Sequence, residues 1–282
     1  MIKVREFKES NYRAIWFNGK TIRIALDMSK PITELEYPEF YDVKITSYCE
    51  GNCPWCYMDS KSTDSHYMNA VESIKEYFGQ MTENQRPFQV AIGGGEPTSH
   101  PHFFEILKTF NDLGIQPNYT TNGMWIKNTD IQYVSDMMDY TINFCGGVAV
   151  SCHPHLTKYW ESAANYYHQW GIKLNFHLII SDKKSIDDFV HIYNKWADKV
   201  DYFVLLPYGV QGRAEEKDID WEYLVQKLPE EKGKVAFGAN FYPYLQGGNH
   251  NIKVSLYEPE IMSKFLDLKD MSLHASSFSL NE

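Results

Sequence analysis

The sequence has no apolar run near the roughly 20 residues that a bilayer-spanning helix needs. Its first residues, 1–9, mix both charges and lack the apolar segment of a signal peptide. We therefore expect a soluble, cytoplasmic protein without a membrane partner. Basic residues are also few: the chain has 27 Lys and Arg but 37 Asp and Glu, which gives a net charge of −10. Such a surface repels phosphate backbones, so we expect no nucleic-acid binding.

Cysteine is scarce, yet its placement is informative. There are five cysteines in 282 residues, and three of them fall within eight positions. In a reducing compartment this arrangement indicates metal binding or catalysis rather than disulfides. The chain is 43% hydrophobic and 15% aromatic, and it contains no low-complexity segment or sequence repeat. These values exclude a disordered chain and a coiled coil.

Strand-like and helix-like patterns alternate from residue 41 onwards. Alternation of this kind predicts βαβ units and a parallel sheet. Six units fit before residue 220, so we predict an α/β fold: a partial (β/α)6 TIM-like barrel with an N-terminal β-hairpin extension and a C-terminal α/β cap. The predicted strands are 41–46, 88–92, 115–120, 147–151, 172–180 and 201–206, and the predicted helices are 68–78, 103–113, 130–138, 157–170 and 186–196.

The two flanks have patterns of their own. Asn18-Gly19 between two β-like runs, 12–17 and 20–26, is typical of a type I′ hairpin turn. The predicted domains are therefore a hairpin and linker (1–40), the barrel (41–212), and a cap and tail (213–282). Within the last we predict a helix at 219–228, strands at 235–239 and 252–256, and a final helix at 258–268.

The cysteine cluster follows the first predicted barrel strand. Cys49, Cys53 and Cys56 lie on a loop that contains Gly and Pro, so their thiolates can converge on one inorganic centre. Iron–sulfur clusters usually take four cysteines, and three would leave one iron open to another ligand. The alternative is zinc held by three cysteines and a histidine, for which His66 is the nearest candidate.

A glycine run, Gly93-Gly94-Gly95-Glu96-Pro97, ends the second predicted strand. Consecutive glycines let the backbone approach a ligand closely and leave its N–H and C=O groups accessible. No phosphate-loop lysine follows, so the run suits a polar zwitterion better than a phosphate. The alternative is an ordinary tight turn.

Together, the Cys-x3-Cys-x2-Cys loop and the Gly-Gly-Glu-Pro run resemble the radical S-adenosylmethionine (SAM) superfamily over about residues 40–212. The resemblance implies that Cys49, Cys53 and Cys56 bind a [4Fe-4S] cluster, that backbone near Gly94, Gly95 and Glu96 receives the methionine amino group of SAM, and that Trp55 helps to hold adenine. One electron, from a flavodoxin- or ferredoxin-like donor, would split SAM into methionine and a 5′-deoxyadenosyl radical that takes hydrogen from a substrate.

Polar residues at the ends of the third and fourth strands are further candidates by the same resemblance. Thr121 and Asn122 look like a polar turn near SAM, although an ordinary Asn-Gly turn fits equally well. Ser151 lies where the family often places a polar side chain against the ribose of SAM. The acid and glycine that usually follow are absent, and the sequence has Cys152-His153-Pro154-His155 instead. His153 shares a face with Ser151 and is therefore a candidate for substrate contact or proton transfer, with His155 behind it.

Two strands and the tail supply the remaining candidates. On the fifth strand, either Asn175, His177 and Ile179 face the barrel interior, with Ile179 against adenine, or the alternating Leu174, Phe176 and Leu178 do. On the sixth, Leu206 is expected at adenine and Tyr208 is a further catalytic candidate. Arg213 either pairs with a carboxylate or is solvated. Tyr242, Tyr244 and Tyr257 either cap the pocket or pack on the barrel.

These observations predict a radical SAM enzyme whose substrate is a small polar metabolite or a residue of a peptide or protein. One alternative is an activase of a glycyl-radical enzyme. Outside the class, the alternative is a zinc-binding interaction protein.

Overall fold

The computed structural model describes residues 2–209, 211–215, 217–229, 232–247 and 259–277. In these ranges no helix is both long and apolar enough to cross a membrane. The strands are β1 (Ile2–Phe7), β2 (Tyr12–Phe17), β3 (Lys20–Ala25), β4 (Phe40–Thr46), β5 (Gln89–Gly94), β6 (Gln116–Thr121), β7 (Val148–Ser151), β8 (Leu174–Ile180), β9 (Tyr202–Pro207), β10 (Val235–Phe237), β11 (Ser263–Asp267) and β12 (Ser272–His274). The α-helices are α1 (Ala70–Gly79), α2 (Phe103–Asp112), α3 (Ile131–Phe144), α4 (Thr157–Gln169), α5 (Lys183–Trp196), α6 (Trp221–Lys227), α7 (Tyr242–Gly247) and α8 (Pro259–Met262).

The N-terminal extension is a three-stranded antiparallel sheet in the order β1-β2-β3. The predicted hairpin is present, and both Asn18 and Gly19 have positive φ angles, as a type I′ turn requires. The sequence pattern did not predict β1. In this strand the apolar side chain of Val4 faces solvent and the charged side chain of Arg5 is buried. Its Val4 is 56% exposed while Arg5 is only 2% exposed. The Arg5 guanidinium donates to four backbone carbonyl oxygens, those of Tyr37, Pro38, Asn84 and Gln85.

The main sheet has the order β10-β9-β8-β7-β6-β5-β4-β11-β12. Neighbouring strands from β4 to β9 pair in parallel, and α1 to α5 connect them. This confirms the α/β partial-barrel class. Local sequence sets the helix boundaries, since the Asp130 and Asp182 carboxylates cap α3 and α5, and Gly114, with φ of 72°, follows α2.

One face of each helix packs on the outside of the sheet. In α2 the buried residues recur at intervals of three and four positions, which is the helical period. Each large apolar side chain buried in this way contributes about 2 kcal/mol. The helices therefore hold the sheet by its outer face and leave its inner face to the site. The buried apolar residues of α2 are Phe103, Ile106, Leu107 and Phe110.

The C-terminal residues extend this sheet on both sides. β10 pairs in parallel with β9, and β11 pairs in parallel with β4. The predicted helix 258–268 is therefore wrong beyond Met262, because pairing with the open edge of β4 favours a strand over 263–267. The predicted helix 219–228 corresponds to α6 and the strand 235–239 to β10. The predicted strand 252–256 lies outside the described residues.

The Lys44–Asp267 ion pair joins β4 to β11 at 2.8 Å, and the two side chains are only 12% and 9% exposed. Replacing Asp267 by Ala would leave a buried ammonium without its counter-charge. We expect the free energy of unfolding, measured in urea, to fall by about 3 kcal/mol. The matched control Asp112→Ala removes a surface pair with Lys108 and should cost less than about 1 kcal/mol. Equal losses in the two variants would contradict this role of Asp267.

Candidate active site at the carboxyl ends of the strands

The three cysteines lie on the loop after β4, at the end of the sheet where parallel β/α folds carry their chemistry. Cys53 is 8% exposed, and Cys49 and Cys56 are half-buried. Burial raises the pKa of Cys49 to about 11 and that of Cys53 to about 12, and neighbouring thiols add to both shifts. The three thiols thus lie on one loop at this end of the sheet, and each is at least half-buried.

Backbone contacts join the glycine run to the start of this loop. The N–H of Gly95 donates to the Thr46 carbonyl and that of Glu96 to the Tyr48 carbonyl, both at 2.8 Å. A Cβ atom on Gly95 would lie 2.0 Å from the Tyr48 oxygen, and Gly94 has φ of 109°. Only glycine permits this approach. An amino group donates hydrogen bonds, so at this run it would use carbonyl oxygens as acceptors.

The Glu96 side chain connects the end of β5 to the end of β6. It is 5% exposed and accepts hydrogen bonds from the Asn122 N–H and the Thr121 hydroxyl, each at 2.7 Å, and from Thr98. Burial raises the pKa of Glu96, and these hydrogen bonds oppose the shift. Thr121 is thus turned towards Glu96. The carboxylate sets the position of the whole polar turn.

Asn122 in turn contacts a cysteine. Its side-chain Nδ2 donates to the Cys49 sulfur at 3.7 Å, while its Oδ1 accepts from the Met124 N–H at 2.8 Å. The second bond fixes the amide orientation, so the first is directed at the thiol. A continuous chain of contacts therefore leads from the glycine run through Glu96 to Cys49.

Trp55 lies between the cysteine loop and the end of β7. Its ring packs edge-on against His153 and His155, and the His155 ring also hydrogen-bonds to the Gly51 carbonyl at 2.9 Å. Burial lowers the pKa of His153 to about 4, so its imidazole is neutral near pH 7. A cavity of about 440 Å³ is lined mostly by residues in and next to α4 and α5, and four of the predicted site residues also line it: Trp55, His153, Ile179 and Tyr208.

The structure decides the orientation of β8. Leu174, Phe176 and Leu178 are at most 4% exposed and pack against the helices. The alternating Asn175, His177 and Ile179 face the barrel interior with the half-buried Ser151, which pairs with His177 across β7 and β8. Leu206 faces the same way on β9, in register with Ile179.

The Arg213 side chain binds the cysteine loop. Its guanidinium donates to the carbonyl oxygens of Cys53 and Ser60, both at 3.0 Å, and pairs with the Asp59 carboxylate at 2.9 Å. Of the two interpretations of the sequence, pairing with a carboxylate is the one observed. The two carbonyl contacts had no signal in the sequence.

The backbone before Arg213 reinforces this contact. The Arg213 N–H donates to the Cys56 carbonyl at 3.0 Å, and a Cβ atom on Gly212 would lie 2.3 Å from that same oxygen. The segment after β9 therefore lies directly on the cysteine loop. Both ends of the Cys53–Cys56 turn are bound by one residue.

Two cysteines and His66 lie off the cysteine loop. Cys145 follows α3 at the opposite end of the sheet, and the Cys152 thiol contacts the Val150 carbonyl. His66 hydrogen-bonds to the Thr46 hydroxyl and packs on the Tyr48 ring. Across the described ranges, no three His, Cys, Asp or Glu side chains are grouped so that they could hold a metal ion.

In the tail, the Tyr244 ring packs on Trp221 and Phe241, which is the packing alternative. Tyr242 begins α7. Tyr257 lies outside the described residues.

The residues present fit a cluster held by three thiols. Each iron of a four-iron cluster takes a separate ligand, so the thiols need to surround a cube rather than a point. The three thiols lie on one loop that Arg213 and His155 bind, and Asn122 adds a hydrogen bond to one sulfur of the kind that tunes such clusters.

Residues 43–153 match the model of the radical SAM superfamily. Over 100 residues the chain is 27% identical to 7,8-dihydro-6-hydroxymethylpterin dimethyltransferase of Methanocaldococcus jannaschii. The matched segment is 35% of this chain and 19% of that protein. Over 84 residues it is 27% identical to a protein of the same organism named for glycyl-radical enzyme activation. That match covers 30% of this chain and 32% of the relative. The chain thus spans a third or less of these relatives.

Solved structures share the fold. Streptococcus suis SuiB bound to its precursor peptide SuiA aligns with a TM-score of 0.63 at 16% identity, over 88% of this chain and 62% of SuiB. The structure of anSMEcpe with bound AdoMet and the Kp18Cys peptide aligns with a TM-score of 0.57 at 15% identity, over 86% of this chain and 75% of anSMEcpe. At these identities the likeness shows the fold alone.

Arg213→Gln would leave the Cys53 and Ser60 carbonyls without their charged donor, so the loop should hold its thiols less firmly. We expect iron affinity to fall about tenfold, with Arg213→Lys between this variant and the wild type because lysine lacks the planar fork. Iron and sulfide per chain after anaerobic reconstitution measure the effect. The control is Arg13→Gln, which removes a surface pair with Glu6. Wild-type loading of Arg213→Gln would contradict this role.

Proposed function

This chain carries a radical SAM domain over residues 43–153, which confirms the superfamily that the motifs predict, and we propose that it cleaves SAM reductively and abstracts hydrogen from a substrate. Members of the superfamily are enzymes that use a [4Fe-4S] cluster and SAM. In this proposal Cys49, Cys53 and Cys56 hold the cluster. When bound, the reduced cluster would supply one electron to the sulfonium of SAM, whose C–S bond would break to give methionine and a 5′-deoxyadenosyl radical able to take hydrogen from a substrate.

The observation that carries the proposal is the contact chain from Gly95 and Glu96 to Asn122 and Cys49. It brings the superfamily's two motifs to one place, although Cys49 and Gly95 are 46 positions apart in the sequence. Carbonyl oxygens of the glycine run would accept the SAM amino group beside the cluster. A preorganised loop of this kind spares the cost of ordering ligands during the reaction.

The adenosine part of SAM would occupy the cavity beside Trp55. Its volume, about 440 Å³, lies within the range of ligand pockets. The indole ring and Ile179 would contact adenine, and Leu206 would lie next to it in the sheet. Ser151, on the same inner face, would reach the ribose. His153 and Tyr208 line this cavity and are the proposed groups for substrate contact or proton transfer.

The substrate is a small polar metabolite or a residue of a peptide or protein. Two fold neighbours were solved with peptides, SuiB with SuiA and anSMEcpe with Kp18Cys, which supports a peptide. The relative named for glycyl-radical enzyme activation supports a protein partner as the second candidate. In either case an external flavodoxin- or ferredoxin-like protein would supply the electron, in the cytoplasm.

Cys53→Ala removes the most buried of the three proposed ligands. We expect the variant to lose the brown colour of the anaerobically reconstituted protein and to release no 5′-deoxyadenosine with dithionite and SAM, because two thiols cannot hold the cluster in place. Liquid chromatography of the reaction mixture measures the product.

The matched control is Cys145→Ala, which lies outside the site and should keep both properties of the wild type. Unchanged release of 5′-deoxyadenosine by Cys53→Ala would overturn the ligand set. Zinc without sulfide in a colourless wild-type protein would instead support the zinc-binding alternative and overturn the proposed function.

A further inference from the structure

The N-terminal sheet presents an apolar face to solvent. Directly paired residues of antiparallel strands share one side of a sheet, so the register of β1, β2 and β3 assigns nine positions to the side that points away from the barrel. Three of the nine are charged: Glu6, Arg13 and Lys20. The other six are large apolar residues, and five of these are between 40% and 66% exposed. These six residues form the outer face: Ile2, Val4, Ile15, Phe17, Ile22 and Ile24.

The opposite side of the same sheet is also apolar, and it is buried on the barrel. Tyr12, Ala14 and Trp16 are at most 6% exposed. The Trp16 ring stacks on Phe88, directly before β5, with ring centroids 6.2 Å apart. Strands that are apolar on both sides are typical of a sheet that is covered on both faces. The pattern of residues 12–17 therefore predicts a second layer over the outer face.

The size of the outer face matches what an interface between two proteins needs. At roughly 100 Å² for each of the five exposed side chains, it presents on the order of 500 Å² of apolar surface, and apolar patches of this size are typical of interaction sites. A stable interface buries about 800 Å² per partner, of which about 450 Å² is apolar. Within the described ranges no segment of the chain covers these five side chains.

The charges around the outer face suit a second copy of the same chain. Arg13 and Glu6 pair with each other, and Lys20 is the remaining charge among the nine outward positions. The patch therefore carries a net charge of +1, although the whole chain carries −10. Two copies can meet here without strong repulsion, and no excess of one sign selects a partner of the opposite sign.

The shape of the outer face is also complementary to itself. Both sides of a twofold interface are the same surface, so that surface must fit its own copy. Two apolar sheet faces meet this condition, because they pack about 10 Å apart with their strands within about 30° of each other. The resulting pair of three-stranded sheets would resemble a small β-sandwich.

The position of the outer face argues against a partner that takes part in the reaction. The cysteine loop follows β4 at the carboxyl ends of the barrel strands, whereas the N-terminal sheet covers their amino ends. A substrate or an electron donor has to reach the cysteine loop. A contact at the outer face would leave that loop open in both members of a pair.

We propose that two copies of this chain associate through their outer faces, so that the two N-terminal sheets pack face to face about a twofold axis. Removal of the apolar side chains from water drives the association. The two candidate active sites then lie at opposite ends of the dimer. This inference goes beyond the proposed function and does not depend on it, since the surface is remote from the site.

Sedimentation of the full chain at micromolar concentrations tests the inference. The wild type should have twice the mass of one chain. Ile22→Glu and Val4→Glu each place a carboxylate in the middle row of the outer face, where Val4 and Ile22 flank Ile15. The dissociation constant of the dimer should rise roughly 100-fold or more in each variant, because the interface would bury a charge without a partner.

The native side chains are 62% exposed at Ile22 and 56% at Val4, so both variants should fold, which circular dichroism checks. Ile22→Thr keeps the β-branched shape and should weaken the dimer less than Ile22→Glu. The matched control is Ile131→Glu, which adds the same charge at an 86% exposed position in α3 and should stay dimeric.

A monomeric wild type would overturn the inference, whether another protein or another part of the chain covers the outer face. A dimer that persists in Ile22→Glu and Val4→Glu would also overturn it, because the interface would then lie elsewhere. Ile22→Glu should release 5′-deoxyadenosine as the wild type does. Failure of the proposed function would show separately, as absence of that product from the wild type in either oligomeric state.

Discussion

A contact too close for any side chain organises the candidate site. The backbone of Gly95 lies against the Tyr48 carbonyl, where a Cβ atom would stand 2.0 Å from the oxygen. Because β4 and β5 meet here through backbone alone, the cysteine loop begins in a direction that the glycine run sets. Glu96 follows at once and carries this order to β6 through Asn122. The positions of both superfamily motifs therefore depend on the absence of one methyl group.

The cysteine loop has little regular structure of its own, and contacts from four directions give it order. The glycine run binds its start, Asn122 and His155 bind its first half, and Arg213 binds the carbonyl oxygens of its second half. Rigid support of this kind is what a site needs to hold its ligands in a productive geometry. The loop is thus shaped by strands β5, β6 and β7 and by the segment after β9.

The two faces of the main sheet have opposite roles. The outer face buries apolar side chains against α1 to α5 and supplies most of the stabilisation. The inner face keeps polar groups such as Asp42 and His177 without partners in the described ranges, at a cost in stability. The β11 strand helps to offset this cost, because it covers the edge of β4 and gives Lys44 its counter-charge.

The sequence by itself determined the parts that depend on local pattern. These are the β/α alternation, the Asn18-Gly19 turn, and the two motifs at Cys49–Cys56 and Gly94–Glu96, because apolar periodicity and turn chemistry act between near neighbours. It left the register of β8 open, since apolar residues occur on both faces of that strand. Only the tertiary structure decided that register, the pairing of β11 with β4, and the contact of Arg213 with Cys53, 160 residues away. The physical reason is that parallel neighbours and loop contacts depend on the path of the chain through space, and no local pattern records that path.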